Sequence, residues 1–247
     1  MSKLAIMGAM LLAMSTATSY AAGLSLSWTH CEADGPVRDR TSDCVTSLRP
    51  VGTMVGSFTV PSDVIAATGL EVVLDLATAG PSLPAWWMTS CRTPFALNSV
   101  IEATALNCYD WSSGGAIGGV SGYLVGLYSP SSARILAGFA VPQPGIDLSA
   151  IPPVGTEYFA FNVVLSSSRS SGAGLCAGCS TPACIMFNSL KVVAGLSTAA
   201  ILTYPQHPAS NVVTWQGGAG AVWPLSYSCE YTPTLKSTWG SVKALYR

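Results

Sequence analysis

Cysteine is the residue type in this chain whose number and spacing point most directly to chemistry. The 247 residues include eight cysteines, an even number that predicts a disulfide framework formed in an oxidising compartment. Cys176 and Cys179 have the Cys-x-x-Cys spacing of redox dithiols and of some zinc sites. A redox thiol needs a helix N-terminus or a nearby cation to lower its pKa, and Pro182 interrupts the only available helix start. We therefore interpret this pair as structural.

Local spacing suggests how the cysteines pair, although connectivity cannot be deduced from sequence alone. The residues predicted to form disulfides are Cys31, Cys44, Cys91, Cys108, Cys176, Cys179, Cys184 and Cys229. The first two flank a charged loop and the next two flank a strand segment, so each neighbouring couple is expected to pair. Two of the three cysteines at 176, 179 and 184 are expected to close their own loop. The third is expected to pair with the cysteine at 229.

Nucleophilic catalysis has little support in the sequence. The chain has two histidines, His30 and His207, and a Ser–His–acid site would need one of them beside a serine. Ser121 lies in Gly-Val-Ser-Gly, which lacks the glycine spacing of a nucleophile elbow. We therefore do not expect a serine hydrolase.

Acidic residues offer two further kinds of site. Glycoside hydrolysis uses two carboxylates, and the candidate residues are Glu71, Asp75, Glu102, Asp110 and Glu157. Oxygen ligands for calcium are present at Glu32, Asp34, Asp39 and Asp43. Arg38 and Arg40 neutralise that loop, and its spacing matches no EF-hand. We interpret the first set as solvated or turn-capping carboxylates and the second as solvated charge pairs, and we expect no catalytic residue, no metal and no cofactor.

Tryptophan is abundant, with seven residues in the chain. Exposed indole faces on a neutral surface suit stacking against sugars, whereas buried indoles contribute large apolar area to a core. The residues considered for ligand binding are Trp86, Trp87, Trp111 and Trp215. The sequence leaves both interpretations open.

The N-terminal segment has the pattern of a signal peptide. Lys3 precedes an apolar run at 4–14 and small residues at 15–22, which predicts cleavage after Ala21. The apolar run is shorter than the roughly 20 residues needed to span a bilayer, so we expect no stable membrane insertion. Residues 1–21 are the predicted signal peptide, and residues 22–247 are predicted to form a single domain.

Charge is sparse, at 9% of residues with a net charge of −1. No basic patch is present, which argues against a nucleic-acid partner. A surface rich in neutral polar residues instead suits contacts with proteins or glycans.

Strand patterns dominate the rest of the chain. Segments of alternating or short apolar character occur at 24–28, 54–60, 70–76, 95–103, 122–128, 134–141, 159–165, 184–193, 199–203 and 212–215. About ten short strands separated by turn residues predict an all-β fold, an antiparallel β-sandwich of jelly-roll-like type. Thr238 is a suitable N-cap for a short C-terminal helix through Tyr246.

Several short motifs resemble a group of secreted, disulfide-containing bacterial proteins. They include Leu-Pro-Ala-Trp-Trp at 83–87, Cys-Ala-Gly-Cys at 176–179, Val-Thr-Trp-Gln-Gly-Gly at 213–218 and Thr-Trp-Gly-Ser-Val-Lys-Ala-Leu-Tyr-Arg at 238–247. The resemblance covers the chain after the signal peptide and implies no particular activity. The ending is the most distinctive part, and we consider it an assembly or sorting element. Its candidate residues are Trp239, Lys243, Tyr246 and Arg247.

Together these features favour an exported, non-enzymatic protein of the extracellular space or cell surface, with the periplasm as the alternative location. The expected role is structural or adhesive, through self-assembly or binding to a surface partner. A carbohydrate-binding protein that uses exposed tryptophans is the alternative, and a glycoside hydrolase ranks third.

Overall fold

The computed structural model describes residues 23–47, 50–60, 64–92, 97–99, 107–148, 156–195, 197–203 and 211–218. Within these ranges the chain is all-β, with two single 3-10 turns at Glu32–Asp34 and Ala85–Trp87 and no α-helix. The strands are β1 (Gly23–Trp28), β2 (Asp39–Arg40), β3 (Pro50–Thr59), β4 (Ala67–Thr78), β5 (Leu97–Ser99), β6 (Tyr109–Asp110), β7 (Ile117–Val125), β8 (Ser132–Ala140), β9 (Tyr158–Ser166), β10 (Ala183–Ala194), β11 (Ser197–Thr203) and β12 (Val212–Trp215). The predicted signal peptide and C-terminal helix lie outside the described residues.

The strands form two sheets. The five-stranded sheet has the order β1-β3-β9-β5, with β6 also beside β9. The seven-stranded sheet has the order β2-β12-β10-β4-β8-β7, with β11 also beside β10. Most pairs are antiparallel, but β12 with β2 and β6 with β9 are parallel. The sheets are therefore mixed, which corrects the expectation of purely antiparallel sheets. The strands β2 and β6 have two residues each, too few for a recognisable sequence pattern.

The apolar alternation of β4 shows why these segments form strands. Successive side chains of a strand point to opposite faces of the sheet. Leu70, Val72, Leu74 and Leu76 are at most 1% exposed, whereas Glu71 between them is only partly buried. The structure confirms the strand predicted here and its core-facing side.

The predicted face of β9 is partly wrong. The sequence places four apolar positions on one face, namely Phe159, Phe161, Val163 and Leu165. The last three belong to the main core, but Phe159 packs beside Cys31 and Cys108 in a separate cluster. The pairing of β9 with β3 skips Ala160, and this bulge reverses the alternation. Phe159 and Phe161, which lie on either side of the bulge, therefore point to opposite faces of the sheet.

Side chains from both sheets share one core. Phe161 of β9 lies edge-on to Phe187 of β10, with ring centroids 5.1 Å apart. Phe161 also stacks on Phe139 of β8 at 6.2 Å. The main cluster of buried residues includes further positions on strands of each sheet, so the two sheets contact each other through their apolar faces.

The disulfides join segments far apart in sequence, and the expected local pairings are wrong. The pairs are Cys31–Cys108, Cys44–Cys179 and Cys91–Cys176, separated by 77, 135 and 85 residues. Cys184 is also disulfide-bonded, and Cys229 lies outside the described residues. The strand order brings distant segments within the Cα separation that a disulfide requires. These disulfides indicate an oxidising environment, extracellular or periplasmic.

The part of the chain that the structure describes contains no helix long and apolar enough to cross a membrane.

Candidate functional site

The tryptophans considered for ligand binding are buried. Trp86, Trp87, Trp111 and Trp215 are 0, 3, 0 and 0% exposed. Trp86 stacks on Trp215 at a centroid distance of 5.3 Å. The Trp86 indole N–H donates to the Ser170 hydroxyl at 2.8 Å, and that of Trp215 donates to the Cys179 carbonyl at 2.6 Å. Sugar stacking requires an accessible aromatic face, and these four side chains offer none. Their role is core packing.

A buried cation completes this aromatic cluster. The Arg92 guanidinium lies 3.8 Å from the centroid of the Trp86 ring and donates to the Ser166 carbonyl at 2.6 Å. Burial lowers the pKa of Arg92 to about 10. Nearby, the Tyr123 hydroxyl donates to the Trp87 carbonyl at 2.5 Å, and burial raises the pKa of Tyr123. Tyr123 is on β7, so this contact fixes β7 to the aromatic cluster.

Asp75 is part of a buried polar group in the seven-stranded sheet. Arg134 donates two hydrogen bonds to its carboxylate, at 2.6 and 2.7 Å, and Asn188 donates a third. The three residues are 3–4% exposed. Burial acts to lower the pKa of Arg134, but its hydrogen bond to Asp75, the charge of Asp75 and the nearby Tyr128 together outweigh that effect and raise the pKa. This carboxylate therefore links β4, β8 and β10 and is not available as a catalytic acid.

The other carboxylates considered for hydrolysis also have structural partners. Glu71 accepts from Lys191 at 3.2 Å on the neighbouring strand. Asp110 accepts from the main-chain N–H of Ser112 at 2.8 Å and so caps a turn. Glu102 lies outside the described residues. Asp110 caps a turn as expected, whereas Asp75 is buried in an ion pair and is not the solvated carboxylate expected from sequence.

Glu157 stabilises the first 3-10 turn. Its carboxylate accepts from the main-chain N–H groups of Glu32 and Ala33 at 2.8 and 2.9 Å. The Ser57 hydroxyl donates to the same carboxylate. Glu157 therefore joins β3 and β9 to the loop that follows β1.

The four carboxylates considered for calcium each have a partner within the fold. Glu32 pairs with Arg38, and Asp39 accepts from the Thr214 hydroxyl at 2.7 Å. The main-chain N–H of Asn107 donates to Asp34, which lowers the pKa of that carboxyl. Asp43 accepts from the main chain two residues later. Over the described ranges, no group of three or more His, Cys, Asp or Glu residues is placed to hold a metal.

The Cys-x-x-Cys motif is divided between two disulfides. Cys176 is bonded to Cys91 and Cys179 to Cys44, so the motif anchors its loop to two distant segments. His30 is exposed, and Ser121 donates to the Leu136 carbonyl at 3.3 Å. His207 lies outside the described residues.

The edge strand β7 of the seven-stranded sheet is the feature most suited to recognition. The strand β7 pairs along one side with β8, and no other described strand pairs with it. Ile117 and Val125, at its two ends, are 75% and 42% exposed. The sequence from 111 to 133 contains no Asp, Glu, Lys, Arg or His. Unpaired main-chain groups on such an edge are a template for another strand.

A second edge of this kind belongs to β11. This strand pairs along one side with β10, and the described residues provide no strand on its other side. Ile201 is 59% exposed, and residues 192–203 contain no charged side chain. The same sheet therefore has two uncharged edges.

The edge strand β1, in contrast to β7 and β11, is covered by neighbouring groups. The main-chain N–H of Trp28 donates to the Val37 carbonyl at 2.8 Å, and the Val37 N–H donates to the Ser27 hydroxyl at 2.8 Å. The Arg38 guanidinium donates to the Leu26 carbonyl. Neighbouring chain and a charged side chain thus cover β1, as is common for strand edges that remain unpaired.

The strand β7 was not among the sites predicted from sequence. Its signal was the charge-free run at 111–133, which composition alone did not distinguish from other neutral segments. The residues considered for assembly or sorting, at 239, 243, 246 and 247, lie outside the described residues.

Comparison with known proteins found no family model and no curated protein that matches this chain.

Proposed function

We propose that this chain is an exported, non-enzymatic structural or adhesive protein that assembles with protein partners through the edge of β7. The proposed location is the extracellular space or cell surface, with the periplasm as the alternative. We also interpret the two sheets and their shared core as a jelly-roll-like β-sandwich. The observation that carries the proposal is the long, uncharged edge of β7, with which no described strand except β8 pairs.

Strand addition explains why such an edge suits assembly. Main-chain hydrogen bonds to an added strand provide affinity, and alternate side chains provide specificity. Natural proteins commonly protect exposed edges with charge, proline or covering chain. The stretch Ile117–Val125 contains neither a charged residue nor proline, although a bulge interrupts its register between Val120 and Gly122. A net charge of −1 also opposes association only weakly.

The alternative functions receive no support from the described residues. Carbohydrate binding was based on exposed tryptophans, and the four considered are buried. Glycoside hydrolysis was based on free carboxylate pairs, and the described candidates are hydrogen-bonded within the fold.

Light scattering of the purified full-length mature protein tests the proposal. We expect concentration-dependent oligomers, and we expect the double variant Ile117→Lys with Val125→Lys to be largely monomeric because charge opposes strand pairing. Ile65→Lys is the matched control, since Ile65 is 62% exposed but lies outside any strand. A wild-type protein that stays monomeric at high concentration contradicts the proposal, as does equal assembly by the β7 variant.

A further inference from the structure

We infer that the partner of β7 is β11 of a second copy of this chain, so that subunits join head to tail and extend the seven-stranded sheet. This inference rests on the proposed function and specifies the partner. It is carried by the second uncharged edge of the same sheet.

The sheet order places the two edges on opposite sides of β10. The strand β7 is reached from β10 through β4 and β8, whereas β11 pairs with the other side of β10. On that side β11 lies beside residues 189–194 of β10, and β12 with β2 lies beside residues 183–186. A copy translated so that its β11 is in line with β7 of the first copy brings these two edges together. A symmetric contact between two β7 edges would leave β11 uncovered in both copies.

Strand direction defines the geometry of this contact. Each step from β10 to β4, β8 and β7 is antiparallel, so β7 runs opposite to β10. The strand β11 is also antiparallel to β10. In translated copies β7 and β11 therefore run in the same direction and form a parallel ladder with evenly spaced, slanted hydrogen bonds.

The two edges are also compatible in length and chemistry. The strand β7 has 9 residues and β11 has 7. Both lack charged side chains, and each exposes an isoleucine, Ile117 on β7 and Ile201 on β11. A heterologous contact of this kind leaves a free edge at each end, so it forms a ring if it closes and a filament if it does not.

Complementation between two edge variants tests the inference. One variant has Ile117→Lys and Val125→Lys to block β7, and the other has Ala199→Lys and Ile201→Lys to block β11. Each is studied alone and in an equimolar mixture by light scattering, with Ile65→Lys as the control. We expect each variant alone to be monomeric and the mixture to form a one-to-one heterodimer, because one intact β7 edge and one intact β11 edge remain.

The outcomes separate this inference from the proposed function. If the β11 variant dimerises alone, the contact is between two β7 edges, and the head-to-tail inference fails while assembly stands. The inference also fails if the wild type assembles but the mixed variants do not form heterodimers. If the wild type itself stays monomeric, both proposals fail. Thermal unfolding verifies that each variant is folded. If the β7 double variant does not fold, Ser121→Lys alone replaces it, and if the β11 double variant does not fold, Ala199→Lys alone replaces it.

Discussion

Two ion pairs that involve β4 show how burial changes the contribution of a charged side chain to stability. Asp75 and Arg134 have side chains that are 2% and 5% exposed, whereas Glu71 and Lys191 are 28% and 32% exposed. A buried ion that loses its partner keeps its desolvation cost without compensation. A partly exposed pair regains water and contributes little. The strand β4 therefore carries a buried ion pair that is costly to break and a partly exposed ion pair that serves as its control.

We predict that Asp75→Ala lowers the free energy of unfolding by about 3–5 kcal/mol, because it leaves the Arg134 guanidinium buried without a carboxylate. Glu71→Ala should lower it by less than about 1 kcal/mol. Urea denaturation followed by tryptophan fluorescence measures both. Equal effects of the two substitutions would contradict the structural role assigned to the buried pair.

At Gly56, the close packing of β3 against β9 leaves no room for a side chain. A Cβ added to Gly56 on β3 would lie 2.2 Å from the Phe161 ring, on the neighbouring strand β9. A Cβ added to Gly138 on β8 would meet nothing nearer than the Leu70 carbonyl oxygen at 4.0 Å. Both glycines lie within strands, so they differ mainly in the space around them.

We predict that Gly56→Ala destabilises the protein by about 1–3 kcal/mol or more, because Phe161 must shift within a packed core. Gly138→Ala should be neutral or stabilise by up to about 1 kcal/mol, since it restricts the unfolded chain without a clash. Thermal unfolding of the two variants makes the comparison. A stable Gly56→Ala protein would mean that β3 and β9 are packed less closely than described.

Sequence patterns located the strands well, and packing decided their details. Every predicted strand segment overlaps an observed strand, because alternation follows directly from which side of a strand is buried. The strands β2 and β6 were missed because pairing, and not side-chain pattern, defines them. The bulge at Ala160 was missed because it is a property of the β3–β9 register. The buried state of Trp86 and Trp87 also depends on the segments packed around them.

For the whole molecule, the disulfides restrain the unfolded chain over long distances. Cross-linking of distant residues removes more loop-closure entropy than cross-linking of neighbours. Cys91 and Cys176 are 85 residues apart, and Cys44 and Cys179 are 135 apart. The local pairings expected from sequence would have restrained the chain less.

We predict that replacing Cys91 and Cys176 together by serine lowers the free energy of unfolding by about 2–5 kcal/mol. Urea denaturation of the oxidised variant measures this loss. Mass mapping of the non-reduced wild type should recover peptides that link Cys91 to Cys176 and Cys44 to Cys179. Recovery of a Cys31–Cys44 peptide instead would contradict the strand order described.

Local alternation and residue counts were enough to predict the all-β class, the strand segments and a disulfide framework. Assembly of the two sheets decided which cysteines pair, which tryptophans are buried and which sheet edges have no described neighbour. Each of these depends on segments that are distant in sequence and meet only when the sheets form. The edges of β7 and β11 illustrate this best. A strand is identified as an edge because no described strand pairs with its other side, and the sequence of the strand alone does not reveal that.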